Sequence, residues 1–178
     1  MKIDKFTFDL LSKAPIADYM GVVGVYILWD SQAKKKPSYI GEGGILKRFS
    51  DHENNFSHPI NGYVTEGGHI SCRSQLIKKD SELLEAVLLH IAARIDKDPI
   101  HNQQTNYKSP IAKYFKNNRV LRFELEGYDP FINPSKSEKL RGKEIYLEKV
   151  QNKIHLKSHP WKKHVDSGYG SILFQLEE

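Results

Sequence analysis

The chain holds one cysteine, Cys72, in 178 residues. No internal disulfide can form, and a cysteine-rich zinc site is excluded. Long apolar runs are missing too, and no segment has the roughly 20 apolar residues that cross a bilayer as a helix. In the opening stretch MKIDKFTFDLLSKAPIADYM, Asp4 and Asp9 interrupt the apolar region a signal peptide needs. A cytoplasmic protein without membrane contact is therefore expected. Internal repeats and low-complexity segments are absent. The histidines show no ligand spacing, and DHENN followed by His58 has the letters of a His-Asn-His nuclease without a metal-binding framework around it.

What is present suits a folded domain. Hydrophobic residues at 39% and charged residues at 28% are ordinary for a globular chain, and 11% aromatics argue against wholesale disorder. The length suits one core with an appendage. A net charge of +5 favours a polyanionic partner without requiring one.

Along the chain, Thr7 to Lys13 is helix-compatible and stopped by Pro15, which predicts an N-terminal arm or first helix. Val22 to Trp29 and Ser38 to Gly41 read as strands, joined by a polar connection carrying Lys34, Lys35 and Lys36. A helix is expected from Ile45 to Glu53, a loop from Phe56 to Gly68, and a strand from His69 to Ile77. DSELLEAVLLHIAARI is the strongest helix, with Ser81 as its expected cap and Pro99 beyond its end. Ser109-Pro110 starts another, running to about Lys116. From Arg119 onward VLRFELE, EIYLEKV, KIHLKS and SILFQLE alternate apolar and polar residues, and Gln151-Asn152 reads as a hairpin turn.

The densest chemistry lies in VGVYILWDSQAKKKPSYIGEGGILKRFSDH. Side chains alternate across a strand, so pairing of these two strands sets Tyr26 and Tyr39 over one face, with Gly41 permitting a close approach by backbone or phosphate. Arg48 and His52, four apart, stack on one side of a helix.

Gly24-Val25-Tyr26 followed by Tyr39-Ile40-Gly41, then Arg48, Glu85 and Pro99-Ile100-His101-Asn102, resembles the GIY-YIG nuclease family over about Gly21 to Asn106. The resemblance implies an α/β fold: a small, mainly antiparallel central sheet flanked by helices. An N-terminal arm and the catalytic core would occupy residues 1–118, and a strand-rich extension for DNA recognition or dimerisation residues 119–178. It assigns Tyr26, Tyr39, Arg48, His52 and Glu85 to catalysis, with Asn102 orienting Glu85 or its loop. Tyr26 would orient or deprotonate the attacking water, Tyr39 position water or phosphate, and Arg48 neutralise phosphoryl charge. His52 would assist Tyr26, and Glu85 would hold one Mg2+ or Mn2+ ion per active site. Since a free phenol titrates at about 10, Arg48 and the metal are expected to depress Tyr26. Glu82 is the rival metal ligand and Asn106 the rival amide. Glu42 stands where the family often has Lys or Ser.

The implied activity is metal-dependent hydrolysis of double-stranded DNA, site-specific in the manner of a type II restriction enzyme. A structure-specific repair nuclease and a non-cleaving binding module on the same scaffold are the alternatives. Lys34, Lys35, Lys36, Lys162 and Lys163 are the candidate DNA contacts, the last two in a segment that also carries Lys153, Lys157, His155, His159, His164, Trp161 and Tyr169.

Overall fold

In the computed structural model, the residues described are 4–10, 23–30, 35–44, 47–48, 51, 60–67, 75–97, 99, 102, 108–140, 144–161 and 171–176. They form strands β1 (Asp4–Leu10), β2 (Val23–Asp30), β3 (Tyr39–Gly44) and β4 (Ile60–Gly67), then helices α1 (Gln75–Arg94) and α2 (Lys108–Phe115). Four more strands follow: β5 (Val120–Gly127), β6 (Glu144–Val150), β7 (Lys153–Ser158) and β8 (Ser171–Gln175). All eight join one sheet in the order β3-β2-β4-β1-β5-β6-β7-β8, antiparallel at every step except β1 beside β5. The mixed α/β class and mainly antiparallel sheet agree with the sequence reading.

Three expectations are corrected. The N-terminal segment is a strand rather than a helix through Leu10, because Phe6, Phe8 and Leu10 alternate with Lys5, Thr7 and Asp9 and bury one face of a pleat; residues 11–13 lie outside the described residues. The expected loop from Phe56 to Gly68 contains β4, whose backbone pairs with β2 on one side and β1 on the other, so a glycine-containing segment is held by its two neighbours. The expected strand from His69 to Ile77 is helical at Gln75–Ile77, and its earlier residues lie outside the described ones. Ser81 therefore sits inside α1, fully buried, and caps nothing.

Because β1 lies between β4 and β5, the N-terminal segment joins the strands before residue 118 to those after it. Gly127 ends β5 with φ of 84°, and a Cβ there would lie 2.1 Å from the carbonyl oxygen of Phe8. Only glycine suits that approach. The turn at Gln151-Asn152 joins β6 to β7 as expected, with Gln151 in the left-handed region at φ of 53°.

Helix α1 is buried nearly all round: Leu83, Leu84, Ala86, Val87, Leu88, Leu89, Ile91 and Ala92 join the core. It packs on β2 and β3 at one edge of the sheet, while Arg94 near its end donates to the Leu173 carbonyl at 3.3 Å and to that of Ile172, both in β8 at the other edge. A flat sheet of this order would set those edges roughly 33 Å apart, whereas the nine residues from Glu85 to Arg94 rise only about 14 Å along a helix. The sheet therefore curls around α1. The indole of Trp29 donates to the Pro130 carbonyl at 3.1 Å. Among the described residues no helix is long and apolar enough to cross a membrane.

Candidate active site

The register of β2 on β3 sets Tyr26 opposite Gly41 and Leu28 opposite Tyr39. Paired residues in an antiparallel ladder share a face, so Tyr26, Gly41 and Tyr39 lie together. Their phenol rings stack, with centroids 6.0 Å apart and planes 21° from parallel. Gly41 makes room for this arrangement: a Cβ there would lie 2.5 Å from Tyr26 Oη and 2.5 Å from Tyr39 Cε1. The close approach foreseen at Gly41 is thus made by the two tyrosines.

Lys47, Arg48 and Asp51 are helical, and Arg48 is exposed. Its Nε lies 3.2 Å from where a Cβ on Gly43 would stand, and Gly43 has φ of 128°. The side chain of Arg48 thus passes close over the end of β3. Glu85, half-buried on α1, completes the set: its charge acts on both phenols, as does that of Arg48.

Burial dominates the titration of this cluster. Tyr26 is pushed well above the ordinary phenol range by loss of water, with Tyr39, Glu85 and Glu42 adding to the shift and Arg48 opposing it. Tyr39 is raised by burial and by Glu85, against the pull of Arg48 and a hydrogen bond with Tyr26. The expected depression of Tyr26 does not occur in the protein alone, because desolvation outweighs one exposed guanidinium. The Glu85 carboxyl is pushed up to about 8 by burial, then by Glu42 and Glu82, with Arg48 again opposing. Glu42, which drew attention only as a departure from the family pattern, is the carboxylate whose charge acts most on Glu85.

Asn102 bonds to the backbone of β3. Its Oδ1 accepts from the Ile40 amide at 2.9 Å and its Nδ2 donates to the Ile40 carbonyl at 2.7 Å. Since β3 is an edge strand, this carboxamide stands in for a missing neighbour between Tyr39 and Gly41. Nothing local in the sequence signals a contact 62 residues away.

Tyr26, Tyr39, Arg48 and Glu85 are thus brought together. His52, Asn106, Lys34, Lys162 and Lys163 lie outside the described residues. Lys35 is exposed, and Lys36 is paired with Asp96 at 2.8 Å. In the C-terminal segment, His159 is buried, and Trp161 packs edge-on against Phe131 while its indole donates to Asp129 at 2.8 Å. Lys157 pairs with Glu148 at 3.3 Å. The cations and aromatics noted in this segment are, at these positions, part of the fold. Among the described residues no group of three or more His, Cys, Asp or Glu side chains is placed to hold a metal. Comparison with family models, characterised proteins and solved structures found no match.

Proposed function

We propose that the chain is a metal-dependent endonuclease of the GIY-YIG type that hydrolyses double-stranded DNA, site-specifically in the manner of a type II restriction enzyme. The observation that carries the reading is the stack of Tyr26 on Tyr39 with the charges of Arg48 and Glu85 converging on both phenols. Two stacked strand tyrosines alone would be core packing; an arginine and a half-buried carboxylate acting on the pair are what phosphodiester chemistry uses.

One feature of the cluster favours a divalent cation. Glu85 is half-buried and feels the charge of a second carboxylate, Glu42, and a cation would offset both the lost hydration and the repulsion. Glu85 would hold the ion, and Glu42 is the carboxylate whose charge acts most on it. The bound metal would supply Lewis-acid stabilisation of the leaving oxygen. Tyr26, protonated near neutrality, orients the attacking water by hydrogen bonding, and Tyr39 holds Tyr26 and faces the phosphate. Arg48 neutralises charge on the phosphoryl oxygens with a planar guanidinium suited to them. Asn102 holds the Ile40 backbone next to Tyr39. The strands β5 to β8 are free to serve target recognition or a homodimer contact.

Digestion of a long DNA of known sequence with Mg2+ or Mn2+, followed by sequencing of the new ends, tests this reading. Discrete fragments with a common end sequence are expected. Nicks confined to branched DNA would move the assignment to repair, and DNA shifted but uncut under every metal would reduce the chain to a binding module. Glu85→Gln should abolish cleavage and retain binding, with Glu82→Gln mild; the reverse ranking would move the metal one turn along α1.

A further inference from the structure

Beyond the tyrosine cluster, a groove of about 560 Å3 lies between the end of α2 and the β6-β7 turn. Lys116, Asn117, Arg119, Lys149, Val150 and Gln151 line it, and no described carboxylate does. The end of α2 accounts for part of this chemistry. Lys149 Nζ donates to the Phe115 carbonyl at 3.1 Å and Asn118 Nδ2 to that of Tyr114 at 2.8 Å, answering the unsatisfied carbonyls of a helix C-terminus. Lys116 and Arg119 have no such task. Both are exposed, and neither pairs with an acidic side chain among the described residues. Beside them Val150, 43% exposed, is one of two large apolar side chains left open to water among the described residues.

We infer that this groove holds the phosphate backbone of duplex DNA, with Lys116 and Arg119 as the phosphate contacts and Val150 against the sugar edge. Two exposed cations, amides able to donate, and one apolar contact match a phosphate-sugar chain. The topology places the groove usefully. β1 and β2 both run antiparallel to β4, β5 runs parallel to β1, and β3 runs antiparallel to β2. The start of β5 therefore lies at the same end of the sheet as Gly44, where β3 leads toward Arg48. Four strand spacings, roughly 19 Å, separate β3 from β5 across the sheet. That is shorter than one duplex turn of about 34 Å, so one DNA can engage both places. The inference rests on the nuclease reading, and adds a contact surface that the lysine runs of the sequence did not indicate.

The test is equilibrium binding of the full chain to a labelled duplex of about 30 base pairs over a series of KCl concentrations without divalent cation. Lys116→Gln with Arg119→Gln should weaken binding roughly tenfold and reduce the slope of log K against log salt by about 1.8, the release expected from two phosphates. Lys116→Arg with Arg119→Lys should keep both affinity and slope. Lys136→Gln with Lys139→Gln removes the same charge beyond the other end of β5 and should change neither. Because the groove side chains are exposed, the melting temperature should not move. An unchanged slope in the groove variant, or an equal loss in the distant pair, overturns the groove while wild-type cleavage leaves the nuclease reading standing. A wild-type chain that binds no duplex overturns both.

Discussion

Asn102 grips Ile40 by both backbone groups, accepting from its amide at 2.9 Å and donating to its carbonyl at 2.7 Å. Ile40 stands between Tyr39 and Gly41, so the segment that carries one tyrosine and makes room for the other is held from outside the sheet. Asn102→Ala should cost about 1–3 kcal/mol through two unmet backbone groups, lowering the melting temperature by roughly 2–4 °C per kcal/mol. Cleavage should fall by more than the lost folded fraction explains, since Tyr39 is released. A variant with unchanged melting would show that water replaces the amide at no cost.

Gly41→Ala places a methyl 2.5 Å from Tyr26 Oη and 2.6 Å from Tyr26 Cζ. The rings must part or β3 must shift, at about 1–3 kcal/mol. Combining it with Tyr26→Phe should give no rescue, because the Cζ contact and that of Tyr39 remain. Thermal denaturation of the single and double variants decides this, and full rescue by removing the hydroxyl would contradict the packing described.

Glu85 has its pKa raised from 4.5 to about 8, mainly by burial. Between those values the folded chain binds the proton more tightly than the unfolded one, so stability contributed at this site falls as pH rises and the penalty is complete above about 8. Glu85→Gln should therefore be more stable than wild type in alkaline buffer by a few kcal/mol, at about 1.4 kcal/mol per unit, and gain nothing below the ordinary carboxylate range. Mg2+ should raise the melting temperature of the wild type in alkaline buffer and leave the variant alone. Parallel melting curves for the two proteins across this range would refute the burial of a carboxylate here.

Tyr26 is raised above the usual phenol value by burial first and by Tyr39 next. In a spectrophotometric titration of the folded protein, Tyr26→Phe should leave the phenolate signal unchanged through the ordinary range near pH 10. Loss of one phenol's amplitude there would mean that Arg48 outweighs desolvation after all.

The sequence by itself determined what depends on neighbours along the chain. The apolar spacing of α1, the alternation of β5 to β7 and the turn at Gln151-Asn152 follow from local periodicity, whereas the shared face of Tyr26 and Tyr39 needed the register of β2 on β3 as well. β1 was not among these: the segment from Thr7 read as helix-compatible, and pairing with β4 and β5 makes it a strand. Only the tertiary structure decided the rest. β4 forms because β1 and β2 flank it, Asn102 reaches Ile40 across 62 residues, and Trp161 finds Asp129 across 32. The protonation of Glu85 and Tyr26 belongs to the same class: desolvation and charge proximity are sums over everything packed nearby, and those neighbours meet only when the sheet curls around α1.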